Sequence, residues 1–403
     1  MGAYSSTPDT RKVSEDETFG TVSYGVSEMQ GWRKSMEDVS IAARLGCGGE
    51  ETLVFGVFDG HGGREVAHFC KRHFADALPF LEHWPSRRFE PLLREAFLKM
   101  DEMLQDAAHQ PELIGLRAVP APTAERSGRI EQVLRKLSCT AEGGSAPVDA
   151  AHMLRTVLER AGQDVEGAPA AEPLSGSGSG SGRGSSSISE PPCPAQPAQP
   201  ADASRTVLAG CTAIVACLHQ GILHVANAGD SRGVLCRGGR AVALSDDHKP
   251  QNAAEYDRIV KAGGWVSDAG RVNGNLNLSR SIGDLRYKRN PALPPDEQVI
   301  TAAPDVRSIP LSPGEDEFFV LACDGIWDCK SCEQVVAFVR ARLGHSPSGE
   351  GAGGRPALLS AIVAELFDEC VSHNPTETAG IGGDNMTAMI VDLRHHCAAA
   401  GAR

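Results

Sequence analysis

Acidic residues recur where apolar runs begin or end. Asp59 follows VFGVF, Asp230 follows HVANAG, Asp324 follows FFVLAC and Asp384 precedes NMTAMIV, while Glu37 and Asp38 stand just before VSIAAR. Carboxylates are poor strand formers, and a lone Asp-Gly after a strand is most simply a turn. Several on the strands of one fold repel one another unless a proton or a cation lies between them. All these donors are oxygens, which suits Mg²⁺ or Mn²⁺ better than Zn²⁺. Two such ions could activate a shared water and neutralise the non-bridging oxygens of a phosphate ester. Arg33, four residues before Glu37, could hold that phosphate in bidentate fashion. His61, two residues after Asp59, could protonate the departing alkoxide. The glycines of VFDGHGG are open to three readings: a backbone cradle for phosphate, close approach of a carbonyl to a metal, or a plain turn. No Gly-Lys-Ser/Thr follows, so the stretch is not a Walker loop.

These residues need strands to carry them. ETLVFGVF reads as a strand, and FEPLLREAFLKMDEML as a helix, with Phe89, Leu92, Leu93, Ala96, Phe97 and Met100 on one face. Four short apolar runs between Cys211 and Ser245, separated by HQG, AGDS and RGG, predict antiparallel hairpins rather than βαβ units. EFFVLAC and NMTAMIVDL predict further strands, with a helix in PALLSAIVAELFDECV between them. Residues 1–19 are polar and read as a flexible N-terminus. Residues 20–394 form one α+β domain, interrupted over 105–205 by a low-complexity insertion, and 395–403 are a tail. Within the insertion, a Gly/Ser tract and Pro/Ala repeats read as a linker. Two short amphipathic patterns, at 130–137 and 153–158, are expected to pack locally rather than dock a partner.

Composition narrows the classes. At 403 residues and 41% hydrophobic content, most of the chain can build a core. A net charge of -13 argues against nucleic acid as a partner. Twelve cysteines and no secretory apolar segment predict a reduced compartment rather than a disulfide scaffold. The lone pair Cys329 and Cys332 lacks a second pair and so predicts no zinc site. No apolar run is long enough to span a membrane. MGAYSS matches a myristoylation pattern at Gly2, which would add only weak, reversible membrane attachment. The tail HCAAAGAR matches HCx5R, but that thiol chemistry needs a helix after the loop, and none is expected after Arg403.

Seven motifs stand in one order: YGVSEMQGWRKSMED, VFDGHGG, AGDSRGVLCRGG, DDHKP, RVNGNLNLSRSIGD, ACDGIWD and GGDNMT. Over about residues 20–104 and 206–393 the chain resembles the metal-dependent serine/threonine phosphatases of the PP2C (PPM) type. The resemblance implies a β-sandwich of two antiparallel sheets flanked by helices, in α-β-β-α layers. It implies two Mn²⁺ or Mg²⁺ ions and a weaker third. Asp59 would bridge the two, Asp324 and Asp384 would complete one shell, and Glu37 with the Gly60 carbonyl would bind the other ion. Asp230, with Asp324, would serve the third. Asp38 would orient a metal-bound water, Arg33 would hold the phosphate, and His61 would act as general acid. Residues 250–271 would form a flap beside the cleft. The implied partners are phosphorylated proteins, and the implied enzyme is a monomer located in the cytoplasm, with nuclear and membrane-associated pools as extensions. The alternative is a pseudophosphatase scaffold that only binds phosphoproteins. A lost carboxylate would mark it, and none is lost.

Overall fold

A computed structural model describes residues 4–47, 50–118, 207–344 and 358–396. The strands are β1 (Asp9–Phe19), β2 (Val22–Gly31), β3 (Val39–Cys47), β4 (Glu50–Phe58), β5 (Gly60–His61), β6 (Gly210–Cys211), β7 (Ala213–His219), β8 (Ile222–Ala228), β9 (Arg232–Arg237), β10 (Arg240–Ala243), β11 (Ile282–Gly283), β12 (Asp305–Pro310), β13 (Asp316–Ala322) and β14 (Met386–Asp392). They form a six-stranded sheet in the order β1-β2-β14-β13-β9-β10 and a five-stranded sheet in the order β12-β8-β7-β4-β3. A small ribbon, β11-β6-β5, stands beside them. All pairings within the sheets are antiparallel.

β4 shows how the layers are held. Its side chains alternate, as the pleat requires. Phe55 and Val57 join Ile214, Phe319, Leu321 and Met389 in the core between the sheets. Val54 and Phe58 face the opposite way, into the core beneath α1 (Glu65–Ala77), α2 (Phe89–Gln105) and α3 (Gln110–Ala118). The helical spacing read from Phe89 to Met100 is the buried face of α2. On the outer side of the six-stranded sheet, the helices Cys332–Gly344 and Leu359–Cys370 bury Val335, Val339, Val363 and Phe367. The result is the four-layer α-β-β-α sandwich.

Three expectations need correction. Residues 9–19 are a strand, not part of a flexible N-terminus. The segment DTRKVSEDETF has almost no apolar signal because it is an edge strand held by its backbone to β2. Polar contacts add to this: the Tyr24 hydroxyl donates to Glu15 at 2.7 Å, the Ser360 amide donates to Asp16 at 2.9 Å, and Lys12 pairs with Asp368. Charged residues on an exposed edge also discourage pairing with a second chain.

The expected insertion does not begin at 105. Residues 107–118 are helical, and α3 buries Leu113 and Leu116, a single i, i+3 pair. The remainder of the expected insertion, with both amphipathic patterns and the Gly/Ser tract, lies outside the described residues, as do Gly2, Cys397 and Arg403.

Finally, only two of the three turns between Cys211 and Ser245 close hairpins. HQG joins β7 to β8, and RGG joins β9 to β10. AGDS instead carries the chain from the five-stranded sheet to the six-stranded one. Among the described residues, no helix is long and apolar enough to cross a membrane.

Candidate active site

Register brings the acidic positions to one end of the sandwich. Val39 pairs with Phe58, so Asp38, just before β3, and Asp59, just after β4, are neighbours. Ala322 pairs with both Arg232 and Ala388, which sets Asp324 between the start of β9 and the start of β14. Met386 pairs with Met29, so Asp384 lies against the chain leaving β2 toward Arg33. The crossover AGDS delivers Asp230 to the same place.

The cleft so formed has a volume of about 310 Å³ and is lined by Arg33, Glu37, Asp59, Gly60, His61, Asp230, Asp324 and Asp384, among others. Carboxylate oxygens of Asp59, Asp230 and Asp324 all lie within 4.8 Å of one another. Asp384 lines the same cleft and pairs with Arg33. Asp230 pairs with Lys249. Glu37 accepts from the Ser35 hydroxyl at 2.7 Å and from the Gly63 amide at 3.1 Å. Asp38 lies beneath this surface, 1% exposed, and neither of its carboxylate oxygens has a hydrogen-bond partner among the described residues. The wall beside the carboxylates is Leu276, Asn277 and Leu278 rather than residues 250–271, which are absent from the lining.

The electrostatics follow from burial. Burial, then repulsion from Asp38, Asp324, Asp384 and Asp230, holds the Asp59 carboxyl well above its usual range. Burial, then Asp230 and Asp384, does the same to Asp324. Asp38 is pushed up to about 7, by burial first and Asp384 second. A cluster of partly buried carboxylates that resists ionisation, with an orphaned pair of oxygens below it, is the environment that a hard cation relieves. The donor set is oxygen throughout, so the residues present fit Mg²⁺ or Mn²⁺ and not a thiolate-bound metal.

Gly60 has a steric reason. A Cβ there would come within 2.4 Å of the Glu37 carbonyl oxygen, so no side chain fits between β5 and the Glu37 loop. That loop is held from the other side by Asn385. Its side-chain oxygen accepts from the Glu37 amide at 3.0 Å, and its side-chain nitrogen donates to the Gln30 and Ser35 carbonyls at 2.8 and 3.0 Å.

Sequence reading missed Asp284. Its Oδ2 accepts from His61 Nε2 at 2.6 Å and from the Ser281 hydroxyl at 2.8 Å. The signal was present in SRSIGD, but the residue lies far from His61 in sequence and in no strand. It occupies a left-handed turn at φ 49° and is 1% exposed. Burial lowers the basicity of His61, but Asp284 more than offsets this and the net direction is upward. His61 in turn keeps Asp284 ionised against its own burial, so the carboxyl lies below its usual range. Asp284 therefore orients the imidazole and favours its protonated form. Asp284→Asn is expected to lower kcat by roughly tenfold or more, a share of the about 10²–10⁴-fold that a placed acid contributes, with KM little changed. Because His61 would lose its protonated form at lower pH, the high-pH fall in the rate should move to lower pH. An unshifted pH profile would remove Asp284 from this role. The Cys329 and Cys332 thiols are free and face different partners, the Cys370 carbonyl and the Arg232 guanidinium.

The family model described as Protein phosphatase 2C matches residues 22–125 and 196–379. A probable protein phosphatase 2C from Oryza sativa subsp. japonica is 38% identical over 394 residues, covering 98% of this chain and 91% of that protein. One from Paramecium tetraurelia is 35% identical over 395 residues, covering 98% and 99%. Among solved structures, a Toxoplasma gondii phosphatase superposes with a TM-score of 0.57 at 20% identity, covering 96% of each chain. A serine-threonine phosphatase 2C from the same organism gives 0.53 at 20% identity, covering 95% of this chain and 99% of that one. Fold, motif order and these likenesses agree: the chain belongs to the protein phosphatase 2C family.

Proposed function

We propose that this chain is a Mn²⁺- or Mg²⁺-dependent protein serine/threonine phosphatase. The observation that carries the proposal is the trio Asp59, Asp230 and Asp324, converging in a cleft that also presents Arg33 and His61. Asp59, Asp324 and Asp384 would hold one ion and Asp59, Glu37 and the Gly60 carbonyl another, with Asp230 and Asp324 available to a weaker third. Bound there, the ions supply charge neutralisation at the phosphate and a water acidic enough to act as nucleophile. The protein's own groups do the rest. Arg33, half exposed, can leave Asp384 and present its planar fork to phosphate oxygens. His61 has Nε2 engaged by Asp284, which leaves Nδ1 to pass a proton to the serine or threonine oxygen. Asp38, buried under the cleft floor, accepts a proton readily near neutral pH and can orient water above it.

The catalytic body includes β1 (Asp9–Phe19) and α3 (Gln110–Ala118) and runs through β14 (Met386–Asp392), and its substrates are phosphorylated proteins. With Mn²⁺ titrated into chelated protein, hydrolysis of a small aryl phosphate should rise from background and saturate. Cys397→Ser should leave that rate unchanged. Loss of activity in Cys397→Ser, or no response to Mn²⁺, would refute the proposal.

A further inference from the structure

Away from the cleft, three side chains from separate elements meet on the helical layer. His73 lies on α1, His109 on the short turn that precedes α3, and Glu112 on the first turn of α3. One donor atom from each lies within 4.8 Å of the other two. None of the three lines the carboxylate cleft. We propose that His73, His109 and Glu112 form a second metal site, selective for a borderline cation such as Zn²⁺ rather than for the hard cations of the cleft.

The donor chemistry sets the selectivity. Two imidazole nitrogens and one carboxylate oxygen are a ligand set that Zn²⁺ accepts, with a fourth position left for water. Ligand bonds of about 2.0–2.2 Å place tetrahedral donors roughly 3.3–3.6 Å apart. His73 Nε2 and Glu112 Oε2 stand at 2.8 Å, a hydrogen-bond distance that a shared cation would open by about half an ångström. His109 and Glu112 are three residues apart and share a helical face, while His73 comes from the neighbouring helix.

The surroundings favour ligation over a simple ion pair. Phe69 packs against both imidazoles, with ring centroids 4.3 Å from His73 and 5.2 Å from His109, and so limits their orientations. Arg72 donates to Glu112 Oε1 at 3.0 Å, which fixes the carboxylate and leaves Oε2 toward the histidines. Leu113 and Leu116 anchor α3, so His109 and Glu112 are presented from a held element. An ion pair between His73 and Glu112 would account for those two residues but not for His109. The His109 imidazole makes ring contacts yet no hydrogen bond among the described residues. His73 and Glu112 are each about a quarter exposed, so a cation can enter from solvent. Arg72 is the opposing charge, but its side chain is 58% exposed and solvent screens it. A bound ion would tie α1 to α3, the last described element before residue 119.

The test uses the full chain, stripped by chelator and then held in millimolar Mg²⁺ to fill the oxygen sites, with Zn²⁺ binding followed by equilibrium dialysis. Wild type should bind a Zn²⁺ equivalent that His109→Gln and Glu112→Gln each weaken by more than the roughly 10–100-fold typical of losing an outer partner. Zn²⁺ should raise the melting temperature of wild type but not of either variant. Both variants should melt like wild type in chelator and keep Mn²⁺-dependent aryl-phosphate hydrolysis within about twofold, since neither touches the cleft. Equal Zn²⁺ affinity in wild type and His109→Gln would overturn the site. So would an equivalent that is lost in Asp59→Asn but retained in His109→Gln. A failure here leaves the phosphatase reading standing, because Mn²⁺ activation is measured separately.

Discussion

Asp59→Asn is expected to lower kcat for Mn²⁺-dependent phosphate ester hydrolysis by about 10³-fold or more, the loss implied by several kcal/mol of transition-state charge stabilisation. Asp59 directly follows β4 within the carboxylate cluster, and four other acids, Asp38, Asp230, Asp324 and Asp384, repel its charge. It is the residue proposed to be shared by two ions, so its amide would weaken both sites at once. The same substitution should act on stability with the opposite sign. In chelator, neutralising one member of a repelling set relieves the others, and the melting temperature should rise. The wild-type carboxyls also predict a pH trend for the metal-free protein. Asp38 titrates near 7 when folded and near 3.8 when unfolded, so the folded state holds the extra proton. Its contribution to stability is complete below about 4 and fades as pH rises toward 7. Calorimetry of chelated wild type and Asp59→Asn across that window checks both statements. A fall in melting temperature for Asp59→Asn in chelator would mean that Asp59 is a structural partner rather than a strained ligand.

The second large effect is on the wall of the cleft. Glu255, 4% exposed at its side chain, accepts from Arg258 at 2.8 Å and from Arg280 at 2.7 and 3.0 Å. Arg280 also reaches Asp305 at 2.8 Å, and Arg258 donates to the Ser279 carbonyl at 2.6 Å. One carboxylate thus joins the helix Ala253–Lys261 to the segment around 279–280, which follows the cleft-lining Leu276–Leu278. Glu255→Gln keeps the volume but leaves two largely enclosed guanidiniums with only Asp305 and backbone carbonyls as partners, so about 2–3 kcal/mol of stability should be lost. Burial raises the Glu255 carboxyl, but the two arginines outweigh it and hold it at about 2. The folded value is depressed, so this contribution is present above the unfolded value near 4.5 and disappears as pH falls toward 2. Urea unfolding at neutral pH and at pH 3 measures both. A loss under about 1 kcal/mol would show that the network is solvated rather than buried.

The parts of the site that were legible in the chain are those whose physics is local. An acid directly after VFGVF or FFVLAC is conspicuous because apolar strand and charged terminus adjoin in sequence. Glu37, Asp59, Asp230, Asp324 and Asp384 all line the cleft, and Asp38 lies just beneath it. What stayed hidden depends on partners distant in the chain. β1 carries little apolar pattern because its stability comes from backbone pairing to β2 and from charged side chains meeting Ser360 and Asp368. Asp284 acquires its meaning only when a left-handed turn brings it to His61. α3 rests on two leucines, too few for periodicity to register. The AGDS crossover looks like a hairpin turn because Gly-Asp-Ser is turn chemistry in either case. The pairing of β9 with β13, distant in sequence, shows which it is.

The proposed reaction is hydrolysis of phosphorylated side chains at the carboxylate cluster with divalent cations bound. Its most direct measurement is the initial rate of phosphate release from a phosphothreonine peptide by wild-type protein, first stripped of metal and then supplied with Mn²⁺. The stripped protein should release phosphate only at background, and turnover should recover on adding Mn²⁺. Undiminished release from the stripped protein would contradict the proposed reaction.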